Sequence, residues 1–126
     1  MWWISLILVA FAGICNAIMD VLKTKFNKSI FRNWKNQQWV NPELSHLNKW
    51  KYVDGFWAGE KFFGSSTFLV WLTDFWHLAK FLMLLLVSFA IVLYSPIIVW
   101  WADWFIFYCA FTIPFEIFYS KVLIKT

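Results

Sequence analysis

Asp74, His77 and Lys80 stand three residues apart in the stretch LTDFWHLAKFLM, where the chain turns almost wholly apolar. On a helix this spacing keeps neighbouring members in contact and fans the three over an arc of about 120°. An imidazole held by a carboxylate is a general base. Carboxylate oxygens with one imidazole also make a ligand set suited to Zn, Mn or Fe. When the helices are laid out by length, Asp20 and Glu116 reach the same level. The candidate catalytic set is therefore His77, Asp74, Asp20 and Glu116, and the same four side chains are the candidate metal ligands, with a divalent metal as the implied cofactor. The competing reading makes Asp74, Lys80 and Glu116 paired interface residues that fix helix register. Histidine occurs only at His46 and His77, which excludes a histidine-rich oxygenase site. The sequence contains no H-E-x-x-H, G-x-S-x-G or phosphate-binding glycine motif.

The elements that must position these groups belong to a membrane protein. Apolar and aromatic residues make up 62% of the 126 residues and charged ones 14%, against about 25% charged in ordinary soluble domains. So short a chain has too much surface for its volume to hide that apolar area from water. The expected fold is an all-α integral membrane protein, a single membrane domain over 1–126. Its transmembrane helices fall at about 2–20, 67–94 and 97–120, with a polar segment 21–66 between the first and second. The first apolar run has no basic residue before it, so it reads as an uncleaved span rather than a signal peptide. Pro96 disfavours helical geometry at Ser95 and starts a helix well, which places the second reversal there. A rival turn at Trp101-Ala102-Asp103 leaves only about 17 residues for the last span, the lower limit for crossing.

Charge fixes the expected orientation. All 11 basic residues lie between Lys23 and Lys80 or at Lys121 and Lys125. By the positive-inside rule the N-terminus is outside, while segment 21–66 and the C-terminus are cytoplasmic, as in a plasma or inner membrane. Tryptophans agree: Trp2, Trp3, Trp100, Trp101 and Trp104 gather at the outer level, and Trp34, Trp39, Trp50, Trp57, Trp71 and Trp76 at the inner one. About 20 residues of helix cross the hydrocarbon layer, and counting inward from Tyr94 and Ile97 brings Asp74 and Glu116 to the cytoplasmic boundary. Asn16, Asp20, His77 and Lys80 fall within a few residues of it. Carboxylates turned toward one another avoid lipid, where each costs about 2.5 to 3.5 kcal/mol. The four candidates thus form a cup open to the cytoplasm.

Segment 21–66 carries Val21, Leu22, Phe26, Ile30, Phe31 and Trp34 near one helical face with lysines opposite, which predicts a basic amphipathic helix along the inner leaflet. Asn41-Pro42-Glu43 predicts a short helix through His46 toward Trp50, Asp54-Gly55 a turn, and Ser65-Ser66-Thr67 the cap of the second span. Glu43 and His46 would complete the cup if the loop folds back beneath it. Asp103 is the outlier: an acid near the outer end with no basic residue on that side. Cys15 and Cys109, both within apolar runs, read as buried thiols.

These observations suit three functions. A membrane-embedded enzyme acting at the cytoplasmic leaflet on a lipid headgroup or amphiphile accounts for the inner polar cluster. A non-catalytic scaffold or accessory subunit accounts for the Phe and Trp excess, with a larger membrane protein as partner. A transporter or channel subunit accounts for Asp103 but requires a homo-oligomer, since three helices enclose little. Membrane lipids are the expected partners of all three. The basic charges are placed for lipid headgroups and topology rather than for nucleic acid.

Overall fold

The computed structural model describes residues 2–124, so Lys125 lies outside the described residues. The chain is mostly α-helical, and three of its helices are long and apolar enough to cross a membrane. In order, the elements are α1 (Trp2–Thr24), 3-10 turns at Phe26–Lys28 and Ile30–Asn33, α2 (Gln37–Val40), α3 (His46–Lys49), β1 (Trp50–Val53) and β2 (Phe56–Glu60). A 3-10 turn at Val70–Leu72, α4 (Phe75–Val92), α5 (Trp100–Ile117) and a π turn at Phe118–Val122 complete the chain.

The first helix is the shared partner of the other two spans. Its buried positions Ser5, Ala12, Gly13 and Ala17 are small, and small residues let membrane helices approach closely where no hydrophobic drive exists between them. Toward α4, the Ser5 hydroxyl donates to the Ala90 carbonyl at 3.1 Å. Toward α5, Gly13 lies so close to Phe111 that a Cβ there would overlap the Phe111 carbonyl oxygen. Within the spans, Ser88 and Thr112 donate back to the carbonyls of Leu84 and Tyr108, four residues earlier, so their hydroxyls are satisfied locally.

Segment 25–40 differs from the expected amphipathic helix. It forms two 3-10 turns that fold over the C-terminal end of α1. Phe31, Val40 and Leu123 pack with Ala17, Val21 and Leu22 into one buried cluster. Ser29 is extended and the Ile30 N–H donates to the Leu123 carbonyl at 2.9 Å, pairing the segment with the end of the chain. A short isolated helix is marginal in water, and tertiary partners for Phe31 and the Ile30 amide outweigh it. The apolar positions do face one surface as their pattern demands, but that surface is protein.

Segment 42–73 departs from expectation in three places. Glu43 sits in a turn, its N–H donating to the Asn41 side chain at 2.9 Å, and the helix begins only at His46. Asp54-Gly55 is a turn as predicted, but of a β-hairpin whose strands the sequence reading did not place. Val53 pairs with Phe56, and Asp54 (φ 53°) and Gly55 (φ 83°) take the two left-handed positions that a two-residue hairpin loop requires. The second span starts at Phe75 rather than 67, because extended Asp74 breaks the apolar run and caps the helix. The Ser65-Ser66 pair instead clasps the hairpin base. Ser65 Oγ donates to the Lys49 carbonyl at 2.7 Å and accepts from the Lys61 N–H at 3.1 Å. Glu60 accepts from the Ser66 hydroxyl and the Gly64 N–H, and these bonds hold its carboxyl below the usual range.

Gly13→Ala separates helix propensity from packing. Alanine favours an isolated helix by about 1 kcal/mol, yet overpacking at the Phe111 carbonyl should destabilise the bundle by about 1 to 3 kcal/mol. Unfolding in mixed detergent micelles should show the loss; a gain in stability would refute the close approach.

Candidate functional site

Asp74 and His77 are brought together. Asp74 adopts an extended backbone (φ −155°, ψ 166°) and its Oδ1 accepts the His77 N–H at 2.7 Å, an N-cap on α4. The same carboxylate holds the imidazole, with Nδ1 at 2.8 Å from both Oδ1 and Oδ2. A carboxylate oxygen accepts, so Nδ1 is the donor, and Nε2 of the neutral ring is left with a free lone pair. The Asp74 side chain is 7% exposed and that of His77 24%. Trp76 meets the His77 ring edge-on at 4.8 Å.

The loop segments fix where the cap begins. Asn48 Nδ2 donates to the Thr73 carbonyl at 2.8 Å and to the Gln38 carbonyl at 2.9 Å, while Gln38 Nε2 donates to Asn48 Oδ1 at 2.6 Å. Phe75, the first residue of α4, packs against Trp39 at a centroid distance of 4.8 Å and against Phe31 at 5.4 Å. Asp74 is thus held between an amide stitch on one side and an aromatic cluster on the other. The Asn48 amide is the positioning residue that sequence reasoning missed. Its only signal was an Asn among polar loop residues.

The other candidates are placed separately. Glu116 is exposed and accepts the Ser120 hydroxyl at 2.7 Å. Asp20 is half-buried on α1, where its backbone carbonyl accepts the Thr24 hydroxyl at 2.6 Å. Lys80 rests over the Trp76 ring, 5.5 Å from its centroid, rather than pairing with Asp74 or Glu116. His46 packs edge-on to Tyr52. Among the described residues, no three His, Cys, Asp or Glu side chains gather closely enough to hold a metal ion. The four-residue cup is therefore not assembled; its Asp74–His77 half is.

Asp103 receives an explanation that the sequence did not supply. It is 2% exposed in the first turn of α5, and the reversal lies before it, between α4 and α5. Its carboxylate accepts the Tyr94 hydroxyl at 2.6 Å and the backbone N–H groups of Ile97 and Ile98 at 3.0 and 2.9 Å. The positive end of the helix dipole adds to these bonds. Neither Ser88 nor Ser95 is its partner, and no cation is needed.

A cleft of about 700 Å³ opens at the C-terminal end of α1. Lys23, Lys25 and Lys28 line it together with Glu43 and Ser120. Lys25 Nζ sits 3.9 Å from the centroid of the Tyr119 ring. Among the described residues no lysine or arginine lies within ion-pair distance of a carboxylate, so these amines carry no carboxylate partner there.

Replacing Asp74 should separate its two roles. Asp74→Ala loses the cap and should cost about 1 kcal/mol of bundle stability. Asp74→Ser should restore the cap without holding the imidazole, so stability returns while His77 ring orientation, read by NMR, does not. Equal stability of all three chains would remove the capping role.

No family model matches the chain, and neither the curated proteins nor the solved structures include a significant match to it.

Proposed function

We propose that this small membrane protein acts at the cytoplasmic leaflet on an anionic lipid headgroup or similar amphiphile. The observation that carries the reading is the cleft at the end of α1. Three lysines with no carboxylate partner among the described residues line a space large enough for a headgroup, beside a helix long enough to span. Each lysine near an anionic surface contributes about 1 kcal/mol of attraction. The orientation proposed with it puts the N-terminus outside and both the C-terminus and segment 25–73 on the cytoplasmic side of the membrane. Every Lys and Arg lies between Lys23 and Lys80 or at Lys121 and Lys125, which supports it.

His77 is the proposed base of an embedded enzyme. Asp74 fixes its tautomer, and Nε2 is the atom that would take a proton from a hydroxyl or water. Metal assistance by Asp20, Asp74, His77 and Glu116 has less support, since no three of them gather. An accessory-subunit role is the second reading, favoured by the exposed rings of Trp100, Trp104 and Phe105 along α5. A transport role has lost its main support, because Asp103 is fully engaged at the turn.

The triple replacement of Lys23, Lys25 and Lys28 by Gln should weaken retention of phosphatidylglycerol relative to phosphatidylcholine at least about tenfold, given about 1 kcal/mol per lysine. Native mass spectrometry of detergent-released protein reads the ratio. His77→Ala should leave that retention intact and abolish any lipid turnover by the purified protein; turnover that survives would leave His77 a structural residue.

Orientation has its own test. A cysteine in place of exposed Asn36, in a chain with Cys15 and Cys109 replaced by Ala, should react with an impermeant maleimide only after the membrane is opened. Labelling of intact cells would reverse the topology.

A further inference from the structure

The β-hairpin and the arm that joins it to α4 present apolar rings that the described residues leave mostly exposed. Phe56 is 76% exposed, Trp57 64%, Phe63 83% and Phe68 61%. None of these residues belongs to a membrane-spanning helix. A lone two-stranded hairpin is marginally stable in water at best, and this one is further weakened by a register shift between Trp50 and Tyr52. Such a surface needs an occupant.

The position of the arm identifies it. Trp71, in the 3-10 turn at Val70–Leu72, stacks on Phe81 with ring centroids 4.5 Å apart and planes 14° from parallel. Phe81 lies six residues beyond Phe75, which is about 9 Å along the helix axis at 1.5 Å per residue. The helix has 18 residues and so spans about 27 Å, slightly less than the roughly 30 Å hydrocarbon core. All of α4 is needed to cross, so the ring stacked on Phe81 lies inside the leaflet from which α4 starts. The arm doubles back along the helix instead of leaving it.

Much of its backbone is paired internally, as that depth favours, since an N–H without a partner there costs several kcal/mol in general. The N–H groups of Ser65, Thr67, Leu69, Val70, Leu72 and Thr73 all donate to carbonyls within the arm, at 2.9 to 3.4 Å. The Thr73 hydroxyl donates to the Val70 carbonyl at 2.6 Å, and the Ser65 hydroxyl is engaged at the hairpin base. Lys49, Lys51 and Lys61 stand around that base, where their chains can reach anionic headgroups while the rings lie deeper.

We propose that residues 50–73 form an interfacial anchor whose exposed rings, Phe56, Trp57, Phe63 and Phe68, lie among the lipids of the leaflet where α4 begins. The occupant is lipid because the arm is continuous with a lipid-facing helix and stacked on it, and because the six N–H groups just named already have carbonyl partners within the arm. The anchor does not depend on catalysis or on the lysine cleft.

Depth-dependent quenching tests this on the whole chain in nanodiscs of phosphatidylcholine and phosphatidylglycerol holding one protein each. Single cysteines at Phe56 and Phe63, with Cys15 and Cys109 replaced by Ala, carry an NBD label, and Asn36 provides a control site. Labels at 56 and 63 should be quenched several-fold more by nitroxide on the lipid acyl chains than by aqueous iodide, with the reverse at 36. Iodide quenching at 56 and 63 equal to that at 36 would overturn the proposal, as would protection from both quenchers, which a protein contact produces. Should the labelled chains fail to fold, brominated lipids acting on unlabelled protein decide. Trp57→Phe should remove emission that bromolipid quenches; if the lost emission is insensitive to bromolipid, the anchor is disproved.

Discussion

The close approach that α1 permits is the constraint on which the bundle rests. Lipid tails are as apolar as leucine, so membrane helices gain little from hydrophobic burial and must gain from contact and interhelical hydrogen bonding. Gly13 brings the backbone of α1 against Phe111 of α5, and Ser5 bonds across to Ala90 of α4. Both outer helices therefore take their positions from one central helix. The cluster around Val21, Leu22 and Phe31 at the C-terminal end of α1 joins that helix to a cap built from segment 25–40 and Leu123.

The two later spans begin in related ways. At each, a buried carboxylate gathers donors at the turn into the helix. Asp74 takes the His77 N–H and its ring; Asp103 takes two loop N–H groups and the Tyr94 hydroxyl. Neither acid pairs with lysine or arginine among the described residues. This explains how acids sit at the ends of apolar helices with no basic partner, since their oxygens are satisfied by several hydrogen bonds at the turn into the helix. The consequence differs at the two ends. Asp103 is consumed by the turn, whereas Asp74 holds a partly exposed imidazole with a free nitrogen, and only the second arrangement offers chemistry.

The function proposed here draws on two separate features, the lysine cleft for recognition and the Asp74–His77 pair for proton transfer. No hydrogen bond joins them among the described residues, and each stands on its own measurement. The structure weakens the metal reading by a matter of distance: Glu116 turns to Ser120, a neighbour on its own chain segment, instead of reaching across to Asp74. A short local hydrogen bond on one helical turn requires no helix to move, and that advantage sequence spacing could not weigh.

What the sequence by itself determined was everything that depends on composition and local geometry. Apolar run lengths set three spans, Pro96 set the second reversal near its observed place, Asp54-Gly55 set a turn, and i,i+3 spacing set the Asp74–His77 contact. Tertiary structure decided what depends on long-range partners. Phe31 and Ile30 exchanged a surface helix for a buried cluster and a bond to Leu123. The hairpin escaped notice because Trp50–Val53 and Phe56–Glu60 bury neither face and so lack a clean apolar–polar alternation. The start of α4 moved to Phe75 because Asp74 is anchored from outside its own helix, by Asn48 through Thr73 and by Trp39 and Phe31 through Phe75. Periodicity records which residues prefer a face; it does not record which distant carbonyl, amide or ring will meet that face.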